Sequence, residues 1–431
     1  MTLPPAPREP PLVQTLRWLT RPLPFLDSCR RRYGDAFSVS FVGFRTPMVM
    51  LSDPKAVRAL YSGVQHDLPP GRTIALRSVM GERSILLLEG RDHLARRKLM
   101  LPPFHGARMR AYETVVREIV ERELASWRPG APFALHPRMQ AVTLEVILRA
   151  VFGVADEDRR ARLRAELPVL LARTAAARLQ LRVLLSRRAG APDPLVKLRA
   201  SMAPVDRLLH EEIARRRADP TVGEREDILS LLVTARFEDG GAMDDDELRD
   251  QLLTLLLAGH ETTATALAWT FDLLLRHPAA LARLRDELDA GTSDAYLRAV
   301  VAEALRLRPV VPLAGRRLTA ELEADGYVLP AGTDVTPAIW LTHTRPDVYE
   351  EPLAFRPERF LDRPPETYSW IPFGGGVRRC LGAAFAEMEM RVALSAIIRG
   401  CELRPAAAGA ERVTRRNVTL APRHGTRVVL A

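Results

Sequence analysis

The stretch Phe373–Gly382 reads FGGGVRRCLG. Three successive glycines and two arginines lead to a cysteine, and a further glycine follows. Glycine lets a loop take backbone conformations closed to other residues, or approach another group closely. The strong helical pattern LGAAFAEMEMRVALSAIIR comes next, so Cys380 stands at a helix N-terminus. The helix dipole and the neighbouring arginines both lower a thiol's pKa and favour the thiolate.

Four roles compete for Cys380. A plain core cysteine is the commonest fate of a lone thiol. A phosphatase-type nucleophile wants an arginine six residues on, where Ala386 stands. A nucleotide-binding loop wants glycine where Arg379 stands, and no Gly-Lys-Ser/Thr follows. The fourth role is a thiolate metal ligand, with the glycines letting the loop lie flat against a large planar partner. A haem with a thiolate axial ligand satisfies all of these features.

The whole chain narrows the field further. Its 431 residues are 47% hydrophobic and 27% charged, an ordinary balance for a globular protein in water. The 3 cysteines, Cys29, Cys380 and Cys401, form no C-x-x-C pair, so neither a disulfide framework nor a structural zinc site is expected. Few cysteines and no secretory signal fit the cytoplasm. A Pro-rich segment covers residues 1–25, is broken by its prolines and has no long apolar run, so no transmembrane anchor is expected. The formal charge is +10, yet only Lys55, Lys98 and Lys197 among 63 basic residues are lysine. That skew reads as codon bias. With no basic tail and no Arg-aromatic interleaving, nucleic acid is not an expected partner.

Phe37–Asp53, FSVSFVGFRTPMVMLSD, alternates apolar and polar residues around Gly43 and reads as a hairpin. Helical patterns dominate from Ala107 to Arg276. Strand signals return in ELEADGYVLPAGTDVTP and in the tail RNVTLAPRHGTRVVLA. The expected fold is mainly α with small β-sheets (α+β), built from both ends of the chain. Sheets closed by distant segments argue for a single domain over residues 1–431.

A long helix is expected over Asp244–His277, acidic at its start and ended by Pro278. Leu252, Leu253, Leu255, Leu256 and Leu257 cover every face, which predicts burial all round. Gly259, His260, Glu261, Thr262 and Thr263 interrupt this apolar helix. A carboxylate deep in such a helix is costly without a partner or a task, and the conflict marks a candidate site. A satisfied polar patch facing another helix is the alternative. A zinc-protease motif fails, because Ala264 stands where the second histidine belongs.

F-G-G-G-x-R-x-C-x-G resembles the haem-binding loop of the cytochrome P450 superfamily. Other segments in the same order resemble further marks of that family: GRDHLARRK (Gly90–Lys98), AGHETT (Ala258–Thr263), EALR (Glu303–Arg306) and FRPERF (Phe355–Phe360). The resemblance implies the P450 fold, a triangular prism with a long central helix over the haem. It implies haem b held by the Cys380 thiolate, with Phe373 and Gly382 bounding the loop and Ala258 near the haem face. Arg378, Arg316, and the pair His93 and Arg97 match partners of the haem propionates, with Arg317 the fallback for Arg316. Arginine suits carboxylates because its planar fork bonds them bidentately. Glu261 and Thr262 match the family's acid–alcohol pair for proton delivery. Glu303, Arg306 and Arg359 match a buried structural ion-pair network.

The implied activity is a monooxygenase that inserts one oxygen atom from O2 by hydroxylation or epoxidation. By resemblance, substrate contacts fall in Pro69–Ile85, Leu167–Leu185, Val310–Ala314 and Val418–Thr419, with Ile85, Leu86, Ala258, Val311, Leu313 and Val418 as candidates. These stretches are rich in Leu, Val and Ala, which points to a lipophilic small molecule. Leu167–Leu185 also reads as an amphipathic lid that touches membrane surfaces. The sequence ends soon after its last strand signal, so no fused reductase is expected. Electrons would come to a monomer from a ferredoxin or flavodoxin and its reductase, with Arg96, Lys98, Arg108, Arg110 and Arg379 as a candidate docking patch. Two rival readings are a peroxide-driven haem-thiolate peroxygenase and a non-catalytic haem-thiolate sensor. The first lacks the acid–alcohol pair among its known members, and the second needs neither that pair nor a roomy apolar pocket.

Overall fold

A computed structural model of the chain describes residues 3–62, 80–106, 108–175, 195–361, 363–416 and 418–431. The helices used below are α1 (Pro11–Thr20), α2 (Pro22–Tyr33), α3 (Pro54–Tyr61), α4 (Gly90–Met100), α5 (Arg108–Ala125), α6 (Leu135–Val146), α7 (Glu157–Ala175), α8 (Leu195–Ala218), α9 (Ile228–Thr234), α10 (Asp245–Arg276), α11 (Pro278–Ala290), α12 (Ala295–Leu307), α13 (Ile339–His343) and α14 (Ala383–Gly400). Short strands are β1 (Ala36–Val39), β2 (Met48–Leu51), β3 (Phe133–Ala134), β4 (Arg316–Arg317), β5 (Leu322–Ala324), β6 (Tyr327–Leu329), β7 (Asp334–Pro337), β8 (Leu403–Pro405), β9 (Val413–Arg416), β10 (Thr419–Pro422) and β11 (Arg427–Leu430). The mainly helical architecture with small sheets is the one expected.

Two compact units divide the chain. The first comprises Met1–Gly71, Val116–Val142 and Glu261–Ala431; the second comprises Arg72–Val115 and Thr143–His260. Helix α10 contributes its residues up to His260 to the second unit and the rest to the first.

In the first unit, one sheet runs in the order β1-β2-β7-β4. The expected hairpin is present, with Phe37 opposite Met50, and β2 then pairs parallel to β7. Strands from both ends of the chain therefore share one sheet. The short β3 pairs with β11, which also pairs with β8. A core of Trp18, Phe25, Phe37, Phe41, Met50 and Trp340 packs α1 and α2 onto the hairpin and α13. The prolines of the N-terminal segment work differently from the expected breaks. Pro11 and Pro22 each open a helix, where the missing N–H costs no bond and φ is already suitable.

In the second unit, the segment before α4 is bonded to the first half of α10. Ile85 N–H donates to Gln251 Oε1 at 3.0 Å, and the Ser84 and Thr254 hydroxyls lie 2.7 Å apart. Arg96 bonds Glu247 at 2.7 Å, anchoring α4 to α10. Of the expected substrate stretches, Pro69–Ile85 is described from Met80 onward and Leu167–Leu185 up to Ala175; the remainder lies outside the described residues.

Candidate functional site

The cysteine loop folds as its glycines require. Gly374 and Gly376 take φ of 68° and 65°, the left-handed region that favours glycine. Gly376–Arg378 forms a single 3-10 turn, and the Cys380 N–H donates back to Phe373 O at 2.9 Å. A Cβ on Gly375 would come within 2.5 Å of the Tyr61 ring, so α3 sets that glycine by close approach. Gly382 caps α14, and a Cβ there would meet nothing within 4 Å among the described residues. Phe373 packs edge-on against Trp370, whose indole N–H donates to Ala302 O on α12 at 3.0 Å.

The three cysteines are separated by their surroundings. Cys380 is exposed. Burial pushes the thiols of Cys29 and Cys401 each up to about 11, which holds them protonated. Only Cys380 combines exposure with a helix N-terminus and arginine neighbours, the setting a thiolate ligand needs. Arg378 is half-buried beside it. Arg316 is buried on β4 with its guanidinium over the Tyr61 ring, 5.6 Å from the centroid. Arg317 points away and pairs with Asp334 at 3.1 Å, so the register favours Arg316. In the second unit, His93 is buried and Arg97 is half-buried on α4, four residues apart. Within the first unit, an exposed thiol, the guanidiniums of Arg378 and Arg316 and a glycine-rich loop form a donor set that fits a planar, doubly carboxylated haem.

Helix α10 departs from the burial expected of it. Leu252, Leu253 and Leu256 are fully buried, but Leu255 and Leu257 are only partly so, and Ala258 is exposed. Leu255, Ala258, Gly259 and Thr262 recur at i, i+3, i+4 and i+7 and form one open stripe. The helix itself is continuous through Gly259–Thr263. Thr143 Oγ1 donates to the His260 carbonyl at 2.9 Å, an added bond on the backbone of that segment.

Glu261 sits beside this stripe in a pocket the sequence did not reveal. The Gln140 amide donates to its Oε2 at 2.6 Å, and His136 Nε2 lies 3.6 Å from Oε1. His136 is fully buried and also meets Thr265 Oγ1 at 3.0 Å. Burial pushes the Glu261 carboxyl above its ordinary value, partly offset by Gln140, Arg416 and Thr265. Both α6 residues stand more than a hundred positions away in sequence, so no local motif marks them.

Glu303, Arg306 and Arg359 form an ion-pair network. Glu303 and Arg306 are completely buried and bonded through both carboxylate oxygens, at 2.7 and 2.8 Å. Arg359 Nε reaches Glu303 at 3.1 Å. Sequence reading missed His343, which joins this network to the loop. Its Nδ1 lies 3.1 Å from Arg306 O, and its Nε2 accepts from the Ile371 N–H at 2.8 Å. Accepting at Nε2 places the proton on Nδ1, and burial next to Arg306 pulls the imidazole's pKa down to about 3.

Candidate substrate residues divide by exposure. Leu86 is 40% and Val418 53% exposed, large apolar side chains turned outward. Val311 and Leu313 are half-buried, while Ile85 belongs to the interior of the second unit. Arg96 pairs with Glu247, and the exposed Lys98 with the exposed Glu238.

The family model described as Cytochrome P450 matches residues 4–426. A Mycobacterium tuberculosis relative named for that family, cytochrome P450 135B1, is 43% identical, covering 99% of this chain and 91% of its own length. Another from that species, cytochrome P450 137, is 40% identical over 92% of this chain and 83% of its own. The structure of retinoic acid bound cyanobacterial CYP120A1 matches with a TM-score of 0.85 at 25% identity, covering 100% of this chain and 99% of that one. The heme domain of cytochrome P450DA matches the fold equally well, at 23% identity, over 100% and 98% of the two chains. These likenesses and the cysteine loop define a haem-thiolate oxidoreductase. The chain belongs to the cytochrome P450 family, so its cofactor is haem with a cysteine thiolate on the iron, and it is a P450 monooxygenase. Members of the family take electrons from redox partners. Among the described residues, no helix is long and apolar enough to cross a membrane.

Proposed function

We propose that this P450 hydroxylates or epoxidises a lipophilic small molecule, with electrons from a separate ferredoxin or flavodoxin and its reductase. In this reading Cys380 is the axial ligand, and Phe373 and Gly382 frame its loop. Arg378, Arg316, His93 and Arg97 bind the propionates, and Ala258 faces both haem and substrate. The protein acts as a single-domain cytoplasmic monomer.

Bound haem supplies the activation of O2; the remaining work belongs to the chain. The observation that carries the reading is the setting of Glu261. Its carboxyl is half-buried and held by a neutral amide, with its pKa raised. A raised pKa brings such a carboxyl closer to the working range of a general acid–base. Thr262 follows it on the open stripe of α10, where its hydroxyl hands that proton on. A peroxide-driven enzyme or a sensor has no use for this pair. The outward apolar side chains Leu86 and Val418 favour a lipophilic substrate. A neighbour of the same fold was solved with retinoic acid, a molecule of that broad chemistry.

The test is to titrate the purified ferric protein with a library of polar and lipophilic compounds, following the haem spectrum. Hits should then be turned over with ferredoxin, reductase and 18O2. Lipophilic hits that gain one labelled oxygen are expected. Spectral hits confined to polar compounds would overturn the substrate class.

A further inference from the structure

Tyr61, the last residue of α3, has a buried hydroxyl with no hydrogen-bond partner among the described residues. Its ring is well placed. It packs with Val57, Ile339 and Ile371, stacks on Tyr368 at 6.4 Å, and fills the space against Gly375. Packing therefore explains the ring and leaves the oxygen without a purpose. A buried unsatisfied hydroxyl costs stability, and a phenylalanine would pack equally well without that cost.

The surroundings of the oxygen indicate what it serves. A Cβ on Gly374 of the cysteine loop would lie 4.0 Å from it, and the Arg316 guanidinium lies over the same ring. Arg316 uses one nitrogen on the Gly315 carbonyl at 2.9 Å, and a guanidinium has further donors to offer. Two buried donors, a phenol and a guanidinium, thus converge beside the loop of Cys380. Their shared complement is an anionic acceptor, and a carboxylate satisfies both.

We infer that the Tyr61 hydroxyl donates to the haem propionate that Arg316 also binds, so that α3 grips the cofactor as well as the loop. The inference rests on the haem-thiolate reading of Cys380 and assigns one more residue to the cofactor.

Tyr61→Phe removes the oxygen and keeps the ring. Haem transfer from the ferric holoprotein to excess apomyoglobin should become about 10- to 100-fold faster, the weight of one hydrogen bond to a charged group. Its reduced carbon-monoxide spectrum should stay of the thiolate type. Adding Tyr61→Phe to Arg316→Gln should accelerate haem loss less than it does alone, because both donors serve one acceptor. A merely structural tyrosine would give additive effects. An unchanged transfer rate with the thiolate spectrum intact would overturn the role of Tyr61 alone. A wild-type protein without the thiolate spectrum would overturn the haem reading and this inference with it.

Discussion

Replacing Glu303 by glutamine tests how the cysteine loop is held. Glu303 Oε1 accepts from Arg306 Nη2, Arg359 Nε and the Arg356 N–H, at 2.8, 3.1 and 2.9 Å. Its Oε2 accepts from Arg306 Nε at 2.7 Å. Neither side chain of the Glu303–Arg306 pair is exposed at all. Glutamine keeps the shape but turns an NH2 donor towards guanidinium donors and removes the only carboxylate bonded to Arg306 among the described residues. Arg306 retains the carbonyls of His343, Pro352 and Ala354, so its N–H groups are partly satisfied while its charge is not. Breaking one side of a buried pair costs about 3–5 kcal/mol, a large share of the 5–15 kcal/mol that holds a typical domain together. Arg359→Gln is the control. It leaves Glu303 bonded twice to Arg306, so it should cost only about 1–2 kcal/mol. The assay is urea unfolding of the haem-bound protein, followed by far-UV circular dichroism and by haem absorbance. Haem absorbance should be lost at lower urea than the dichroism, because the network holds the loop through His343 and Ile371. Glu303→Gln costing under about 1 kcal/mol, or Arg359→Gln costing as much, would refute the reasoning.

Three further outcomes are expected. Serine in place of Cys380, but not of Cys29 or Cys401, should abolish the thiolate signature in the reduced carbon-monoxide spectrum. Thr262→Ala should keep haem and substrate but divert electrons into hydrogen peroxide, while Glu261→Gln should slow turnover by about 10²–10⁴-fold; product, peroxide and reductant consumed are measured together. Stability should fall on both sides of a pH optimum. His343 titrates at about 3 when folded against 6.5 ordinarily, so the unfolded chain takes up the proton first and stability drops as pH falls below 6.5, by up to about 1.4 kcal/mol per unit. Burial pushes the Glu389 carboxyl up from 4.5 to about 8, so the unfolded chain ionises first and stability drops as pH rises from 4.5 to about 8. His343→Asn should flatten the acid arm and Glu389→Gln the alkaline arm in urea midpoints taken across pH.

What the sequence revealed was local. Glycines that need positive φ, a cysteine ahead of a helix, and a glutamate and arginine three apart each carry their geometry within a few residues. The partners that give these groups their properties were hidden, because they arrive from distant segments. Nothing near Glu261 announces Gln140 or His136, and nothing near Arg306 announces His343. Periodicity also erred in a specific way. An apolar residue reads the same whether it faces protein or a ligand, so the leucines of α10 predicted burial all round while the stripe through Ala258 and Thr262 is open. The prolines of the first twenty-five residues read as breaks, since composition does not say whether a proline opens a helix or ends one.

The loop's position follows from restraints on either side of its glycines. His343 ties Ile371, just before the loop, to the Glu303–Arg306 pair, and Tyr61 packs into the space that Gly375 leaves. Neither restraint touches Cys380, so the thiol stays exposed while the backbone carrying it is fixed. That combination is what a metal ligand requires: a sulfur open to its ion and a backbone that does not move to meet it. The other two cysteines reverse it. Cys29 lies in the packed core of α1, α2 and the hairpin, and Cys401 follows the end of α14 with its thiol bonded to the Ile397 carbonyl. Burial keeps both protonated. Packing therefore places two of the three cysteines where a thiolate is costly and leaves the third exposed.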